Sequence, residues 1–122
     1  LPESRRSVAR MTDLAGASII VLGATGGLGR EFARQLAASG ARLTLTGRSM
    51  LALDDLDIDG AALIPADLTD AGEAEKVVAA AKNAHGRVDG VIVASGAVAF
   101  GPLVETSDET LEALWAINVL DP

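Results

Sequence analysis

An apolar run that breaks into a cluster of glycines and then resumes at helical spacing leaves few choices of fold. Ser18-Ile19-Ile20-Val21-Leu22 is the run, and Gly23-Ala24-Thr25-Gly26-Gly27-Leu28-Gly29 follows at once. Leu28, Phe32 and Leu36 then recur at i, i+4 and i+8 before Gly40. A short continuous apolar run reads as a strand buried on both faces. The later spacing reads as an amphipathic helix facing the core with Leu28, Phe32 and Leu36, stopped by Gly40. Glycines between strand and helix allow a tight turn and let backbone N–H groups approach an anion at the helix N-terminus. A dinucleotide's pyrophosphate is held this way. Gly23, Thr25, Gly26, Gly27, Leu28 and Gly29 are therefore cofactor-binding candidates.

The same alternation continues along the chain. Arg42-Leu43-Thr44-Leu45-Thr46 reads as a second strand, Ser49 to Asp59 as a segment with a short helical turn, and Ala62-Leu63-Ile64-Pro65 as a third strand. A helix is expected from Asp70, with Glu73 as its capping partner, carrying Val77, Val78 and Ala81 towards Gly86. Val88 to Val93 is a fourth strand, and a Thr106–Glu109 capping box opens a helix through Leu111, Leu114 and Trp115 to about Asn118. Alternating strands and helices make an α/β chain with a parallel sheet. Residues 1–13 read as a flexible leader, and 14–122 as part of one domain.

Composition removes several functions. The 122 residues contain no Cys and one His (His85), which rules out disulfide scaffolds, thiolate metal sites and histidine metal clusters. The absence of Cys suits a reducing compartment, hence an expected cytoplasmic location. Of the net charge of −7, residues 1–48 contribute +4 and residues 49–122 contribute −11. An acidic chain without clustered Lys and Arg is a poor nucleic-acid binder. No stretch approaches the ~20 apolar residues of a membrane span. The run Asp54, Asp55, Asp57, Asp59 lacks EF-hand spacing and reads as a solvated loop. His85, beside Gly86, reads as a cation at a helix C-terminus.

The glycines fit two registers, G-x-x-x-G-x-G through Gly23, Gly27 and Gly29, or G-x-x-G-x-x-G through Gly23, Gly26 and Gly29. With these, Val88-Asp89-Gly90-Val91-Ile92-Val93-Ala94-Ser95-Gly96, Phe100-Gly101-Pro102-Leu103 and Ile117-Asn118-Val119 resemble the short-chain dehydrogenase/reductase family, classical type, from about Leu14 onwards. The resemblance implies a Rossmann-like doubly wound parallel sheet, incomplete here, with its first four strands in the order 3-2-1-4. The chain departs from the family pattern at Leu22, usually Thr, and at Val93-Ala94-Ser95-Gly96, where the family has Asn-Asn-Ala-Gly. Ala94, Ser95 and Gly96 still supply the turn that the resemblance sets against the cofactor.

After the second strand stand Arg48 and Ser49, where an NAD site would carry Asp or Glu to grip the ribose 2′-hydroxyl. An Arg instead pairs with the 2′-phosphate of NADP, so NADP is expected in preference to NAD. Asp67-Leu68 resembles the family's adenine clamp. Asn118 corresponds to the Asn of a four-residue active site with Ser, Tyr and Lys, and the resemblance implies that it holds a water in a proton relay. The chain contains no Tyr.

The expected function is that of an NADP-dependent oxidoreductase of a carbonyl or alcohol substrate. This chain would be its cofactor half, inactive alone, and the full-length form a homo-oligomer. A non-catalytic nucleotide-binding sensor and an extended-type epimerase or dehydratase remain as alternatives. The fourth strand carries an apolar run, Val91 to Val93, an unusual edge that calls for a further neighbour or an associating partner.

Overall fold

The computed structural model describes residues 13–120, without the Leu120 side chain. The expected leader lies almost wholly outside the described residues. Four strands, β1 (Ser18–Leu22), β2 (Arg42–Gly47), β3 (Ala62–Pro65) and β4 (Gly90–Val93), form one parallel sheet in the order β3-β2-β1-β4. The expected strand order is the observed one. Between them run α1 (Gly27–Ala38), α2 (Met50–Asp54) and α3 (Glu73–His85), and beyond β4 come a 3-10 turn (Leu103–Glu105), α4 (Asp108–Trp115) and a π-helical turn (Ala116–Leu120).

Strand alternation divides the interior into two layers. On one face Ile19, Val21, Leu43 and Leu45 pack with Ala33 and Leu36 of α1 and with Leu53 and Leu56. On the other, Ile20 meets Ala66 and, from α3, Val77 and Ala81. This second layer is thinner and holds three buried hydroxyls without a hydrogen-bond partner, those of Ser18, Thr44 and Thr46. On β4, Ile92 packs into the first layer, whereas Val91 and Val93 are each 51% exposed. They align with Ile20 and Leu22 of β1, so they stand on the second face where α3 does not reach. Helix α4 packs chiefly against the π turn after it and buries none of its residues.

Several local expectations shift by a residue. The core-facing residues of α1 are Gly29, Ala33 and Leu36, while Leu28 is 70% exposed and Phe32 also faces outward. Small residues at 29 and 33 let the helix lie close to the sheet, which rotates the larger pair outward. Helix α3 is preceded by Gly72 with φ +84°, not capped by the Asp70 side chain, and Glu73 pairs forward with Lys76 (2.7 Å). Val77 and Ala81 are buried, but Val78 is exposed. Ser107, not Thr106, caps α4, accepting from the Thr110 N–H (3.2 Å), and the Thr106 hydroxyl donates to the Pro102 carbonyl. Strand β4 begins at Gly90, because Val88 and Asp89 serve the approach: the Asp89 carboxylate accepts from the Ser18 N–H (2.8 Å) and from Arg87 (2.8 Å). His85 lies in the last turn of α3, and its Nε2 meets the Leu43 carbonyl of β2 at 2.9 Å.

Candidate functional site

The strands end on one side of the sheet, and their connections diverge between β1 and β4, the switch point at which α/β sheets bind ligands. A cleft of about 400 Å³ opens there. Its walls are the glycine turn (Gly23, Thr25, Gly26), the end of β2 (Thr46, Gly47, Arg48), the segment after β3 (Ala66 to Thr69), the segment after β4 (Ala94 to Ala97) and Ile117.

The turn is anchored to both neighbouring strands. The Ala24 N–H donates to the Thr46 carbonyl (3.0 Å), and the Ala94 N–H donates to the Leu22 carbonyl (2.9 Å). Gly23 has φ +74°, and a Cβ there would lie 2.6 Å from the Ser95 nitrogen, so glycine is needed both for its conformation and for the approach of the β4 segment. Gly29 is needed for packing, because a Cβ there would run into the Gly23 carbonyl. Gly26 and Gly27 differ from these. Neither has a positive φ; a Cβ on Gly26 would make only an ordinary contact (3.5 Å, Gly23 carbonyl), and one on Gly27 would meet nothing within 4 Å. No side chain caps α1 and no acid stands in its first turn, so its leading N–H groups point out as donors.

Across the cleft Arg48 is exposed and makes no ion pair among the described residues. Ser49 does not line the cleft; its hydroxyl accepts from the Ala52 N–H (3.2 Å) and caps α2. Asp67 Oδ1 accepts from the Thr69 hydroxyl (2.6 Å) and the Thr69 N–H (3.1 Å), and among the described residues Oδ2 has no partner. These Thr69 bonds, with a lesser contribution from the Arg48 charge, hold the Asp67 carboxyl below the usual carboxylate range. Leu68 lines the same wall.

The β4 segment brings Ala94, Ser95 and Gly96 to the cleft, with the Ser95 hydroxyl buried and unpartnered. Asn118 reaches this segment from the π turn. Its Nδ2 donates to the Ala97 carbonyl (2.9 Å) and its Oδ1 accepts from the Ala97 N–H (3.0 Å). Both ends of the carboxamide are thus engaged by the backbone of one residue. Of the sequence candidates, Gly27, Leu28, Gly29, Ser49 and Asn118 do not line the cleft, and Gly29 is buried beneath the turn. Thr46, Gly47, Ala66, Thr69, Ala97 and Ile117 line it without having been singled out. For Thr69 a signal exists in Asp67-x-Thr69, the spacing of a carboxylate that accepts from the residue two positions on.

With a glycine turn, a doubly wound strand order and a cleft at the switch point, the profile of the short chain dehydrogenases matches residues 17–121. The chain belongs to this family. An uncharacterized oxidoreductase of Mycobacterium tuberculosis is 42% identical over 106 residues, which cover 84% of this chain and 39% of that protein. Galactitol 2-dehydrogenase (L-tagatose-forming) of Cereibacter sphaeroides is 41% identical over 110 residues, 87% of this chain and 43% of that enzyme. The crystal structure of a glucose/ribitol-type short-chain dehydrogenase/reductase from Brucella melitensis superposes with a TM-score of 0.83 at 32% identity, covering 89% of this chain and 48% of the other. The chain therefore spans less than half the length of each of these relatives. Family membership carries with it an oxidoreductase fold and use of a nicotinamide dinucleotide. Among the described residues no helix is long and apolar enough to cross a membrane.

Proposed function

We propose that the chain is the cofactor-holding part of an NADP(H)-dependent oxidoreductase that interconverts a small-molecule carbonyl and its alcohol. The observation that carries this reading is the pair Gly26 and Gly27, glycines for which the fold itself has little use. Space kept clear at the start of a helix with uncapped N–H groups suits a pyrophosphate. The residues present fit the rest of a dinucleotide. Arg48 is available for a 2′-phosphate, Asp67 Oδ2 for the exocyclic amine of adenine with Leu68 beside it, and the Ala94–Gly96 backbone for the far wall. Thr25 lines the cleft between the turn and β2, while Leu28 and Gly29 contribute through the first turn of α1. Ser49 acts indirectly, by capping the helix that follows Arg48.

When bound, the nicotinamide supplies or accepts the hydride. The proton that accompanies it needs an acid at the substrate oxygen. The sequence has no Tyr, so these 122 residues offer no phenol for that step, and this chain alone is inactive on our reading. Asn118 does not line the cleft but bonds to Ala97, which does. Its carboxamide spends one donor and one acceptor on Ala97, which leaves a second Nδ2 hydrogen and a second Oδ1 lone pair for a water. Cytoplasmic location and homo-oligomeric assembly belong to the same proposal. Among the described residues no contact favours the sensor or the extended-type alternative.

Titration with NADPH and NADH tests the cofactor assignment. Two charge-assisted bonds from Arg48 to a 2′-phosphate amount to ~2–4 kcal/mol, a preference for NADPH on the order of thirty- to a thousandfold. Arg48→Asp should abolish or reverse it. Equal affinity for the two in the parent, or an unchanged preference in the variant, refutes the assignment.

A further inference from the structure

We infer that the Ser95 hydroxyl is a ligand-binding group that donates to an oxygen in the pyrophosphate–ribose stretch of a bound dinucleotide. The inference rests on the proposed dinucleotide reading of the cleft and adds one contact to it. Among the described residues four side-chain hydroxyls are buried without a hydrogen-bond partner, those of Ser18, Thr44, Thr46 and Ser95. Ser18 and Thr44 do not line the cleft, whereas Thr46 and Ser95 do. Thr46 is wholly buried within β2. Ser95 is different: it belongs to no strand or helix, and the residue is half-buried although its hydroxyl oxygen is covered. A buried hydroxyl without a partner weakens the protein that carries it, and a ligand that supplies the partner removes that cost.

The backbone around Ser95 has little room to bring its hydroxyl to a protein partner. The Ala94 N–H is committed to the Leu22 carbonyl (2.9 Å). The Ser95 nitrogen and Cα stand 2.6 and 2.7 Å from where a Cβ on Gly23 would lie. Rotation about χ1, between staggered positions, is the freedom that remains. Strand order then decides which part of the ligand the hydroxyl meets. Arg48 and Asp67 follow β2 and β3, the glycine turn follows β1, and Ser95 follows β4, so in the order β3-β2-β1-β4 the turn stands between the adenosine end and Ser95. A dinucleotide with its adenosine at Arg48 and Asp67 passes Gly23 with its pyrophosphate and brings the ribose beyond it towards Ser95. That stretch is rich in acceptor oxygens, which a rotatable O–H donor suits. The family pattern has Ala at this position, so the hydroxyl is this chain's own addition. It weakens the empty protein and strengthens the loaded one.

Ser95→Ala on the full chain tests this with two readouts, one without ligand and one with three ligands of increasing length. In the ligand-free protein the urea midpoint should hold or rise, because the change removes an unpartnered hydroxyl. Affinity for NADP+ should fall about tenfold, and by the same factor for 2′-phospho-ADP-ribose, which lacks only the nicotinamide. Adenosine 2′,5′-bisphosphate, which reaches only the Arg48 and Asp67 end, should bind at the parental level. Thr44→Val, which removes a buried unpartnered hydroxyl away from the cleft, should leave all three affinities unchanged. Parental NADP+ affinity in Ser95→Ala overturns the inference, and so does a lowered urea midpoint, which would mean that the protein itself uses the hydroxyl. A loss shared by the bisphosphate, or one confined to NADP+, also overturns it by moving the contact to the adenosine or to the nicotinamide. A parent that binds none of the three overturns the dinucleotide reading, and the role of Ser95 with it.

Discussion

Gly23 and Gly27 sit four residues apart in the same turn, and alanine at each should have opposite effects on the fold. At Gly23 the φ of +74° costs an L-residue roughly 1–2 kcal/mol. The new Cβ would also meet backbone atoms at 2.6 Å (Ser95 N), 2.7 Å (Ser95 Cα) and 2.9 Å (Ala94 C), none of which moves as a flexible side chain does. Overpacking of this kind adds roughly 1–3 kcal/mol. Gly23→Ala should therefore lose ~2–5 kcal/mol from a domain whose whole stability is on the order of 5–15 kcal/mol. At Gly27, the first residue of α1, the Cβ meets nothing and the backbone is already helical. Gly27→Ala should leave stability unchanged or raise it by up to about 0.5–1 kcal/mol, since alanine loses less backbone entropy. Cofactor binding should nevertheless fall at both positions, because on the proposed reading a methyl group at Gly27 enters the open space left for a phosphate. Urea unfolding gives the first quantity and NADPH titration the second. A Gly27→Ala variant that is more stable and binds NADPH as the parent does would refute the claim that this glycine is kept for a ligand.

The Asp89 carboxyl is held below its usual range chiefly by the Ser18 N–H, with Arg87 second. A carboxyl depressed in the folded state adds stability at neutral pH that disappears as pH falls through its folded pKa. Asp89→Asn should thus lower the urea midpoint at pH 7, with the gap to the parent closing below about pH 4; a gap that persists in acid argues against the ionic contribution. Val91→Thr with Val93→Thr should reduce concentration-dependent self-association of the chain in light scattering, since both side chains are half-exposed on the uncovered face of β4; unchanged association would locate the sticky surface elsewhere. The chain alone should oxidise NADPH with ketones or aldehydes at least ~10²–10⁴-fold more slowly than an enzyme with its own general acid. A rate comparable to such an enzyme would remove the missing phenol from the argument.

Strand positions were legible because burial on both faces leaves a continuous apolar signature, as in Ser18–Leu22, and because glycine marks the ends of β1 and β2. The glycine turn was legible for the same local reason. The facing of α1 was not, since periodicity rewards large apolar residues such as Leu28 and Phe32. The sheet instead took the small ones, Gly29 and Ala33, that permit close approach. Caps went astray by a residue where neighbouring polar side chains compete, as at Thr106 and Ser107, and the sequence does not say which one the chain direction favours. In the site, Arg48 and Asp67 could be located from their strands. The occupation of Asn118 by Ala97 could not, because it joins segments 21 positions apart through geometry that no local pattern encodes.

The central strand acquires its two neighbours on very different terms. Pairing Ser18 with Arg42 closes a short stretch of chain, whereas the Ser18–Asp89 contact that registers β4 closes 71 residues. Loop closure of that length and its non-local contacts belong to the slow end of folding. The β3-β2-β1 unit with α1 and α2 is thus the natural early structure, and it already contains the Ala24–Thr46 bond that shapes half of the glycine turn. The other half waits for β4, because the backbone that closes over Gly23 is that of Ser95. The cleft is in this sense finished last. A ligand that recognises only the finished cleft gains little purchase on the folding transition state and acts almost wholly on the exit from the native state: it lengthens the lifetime of the fold without hastening its arrival.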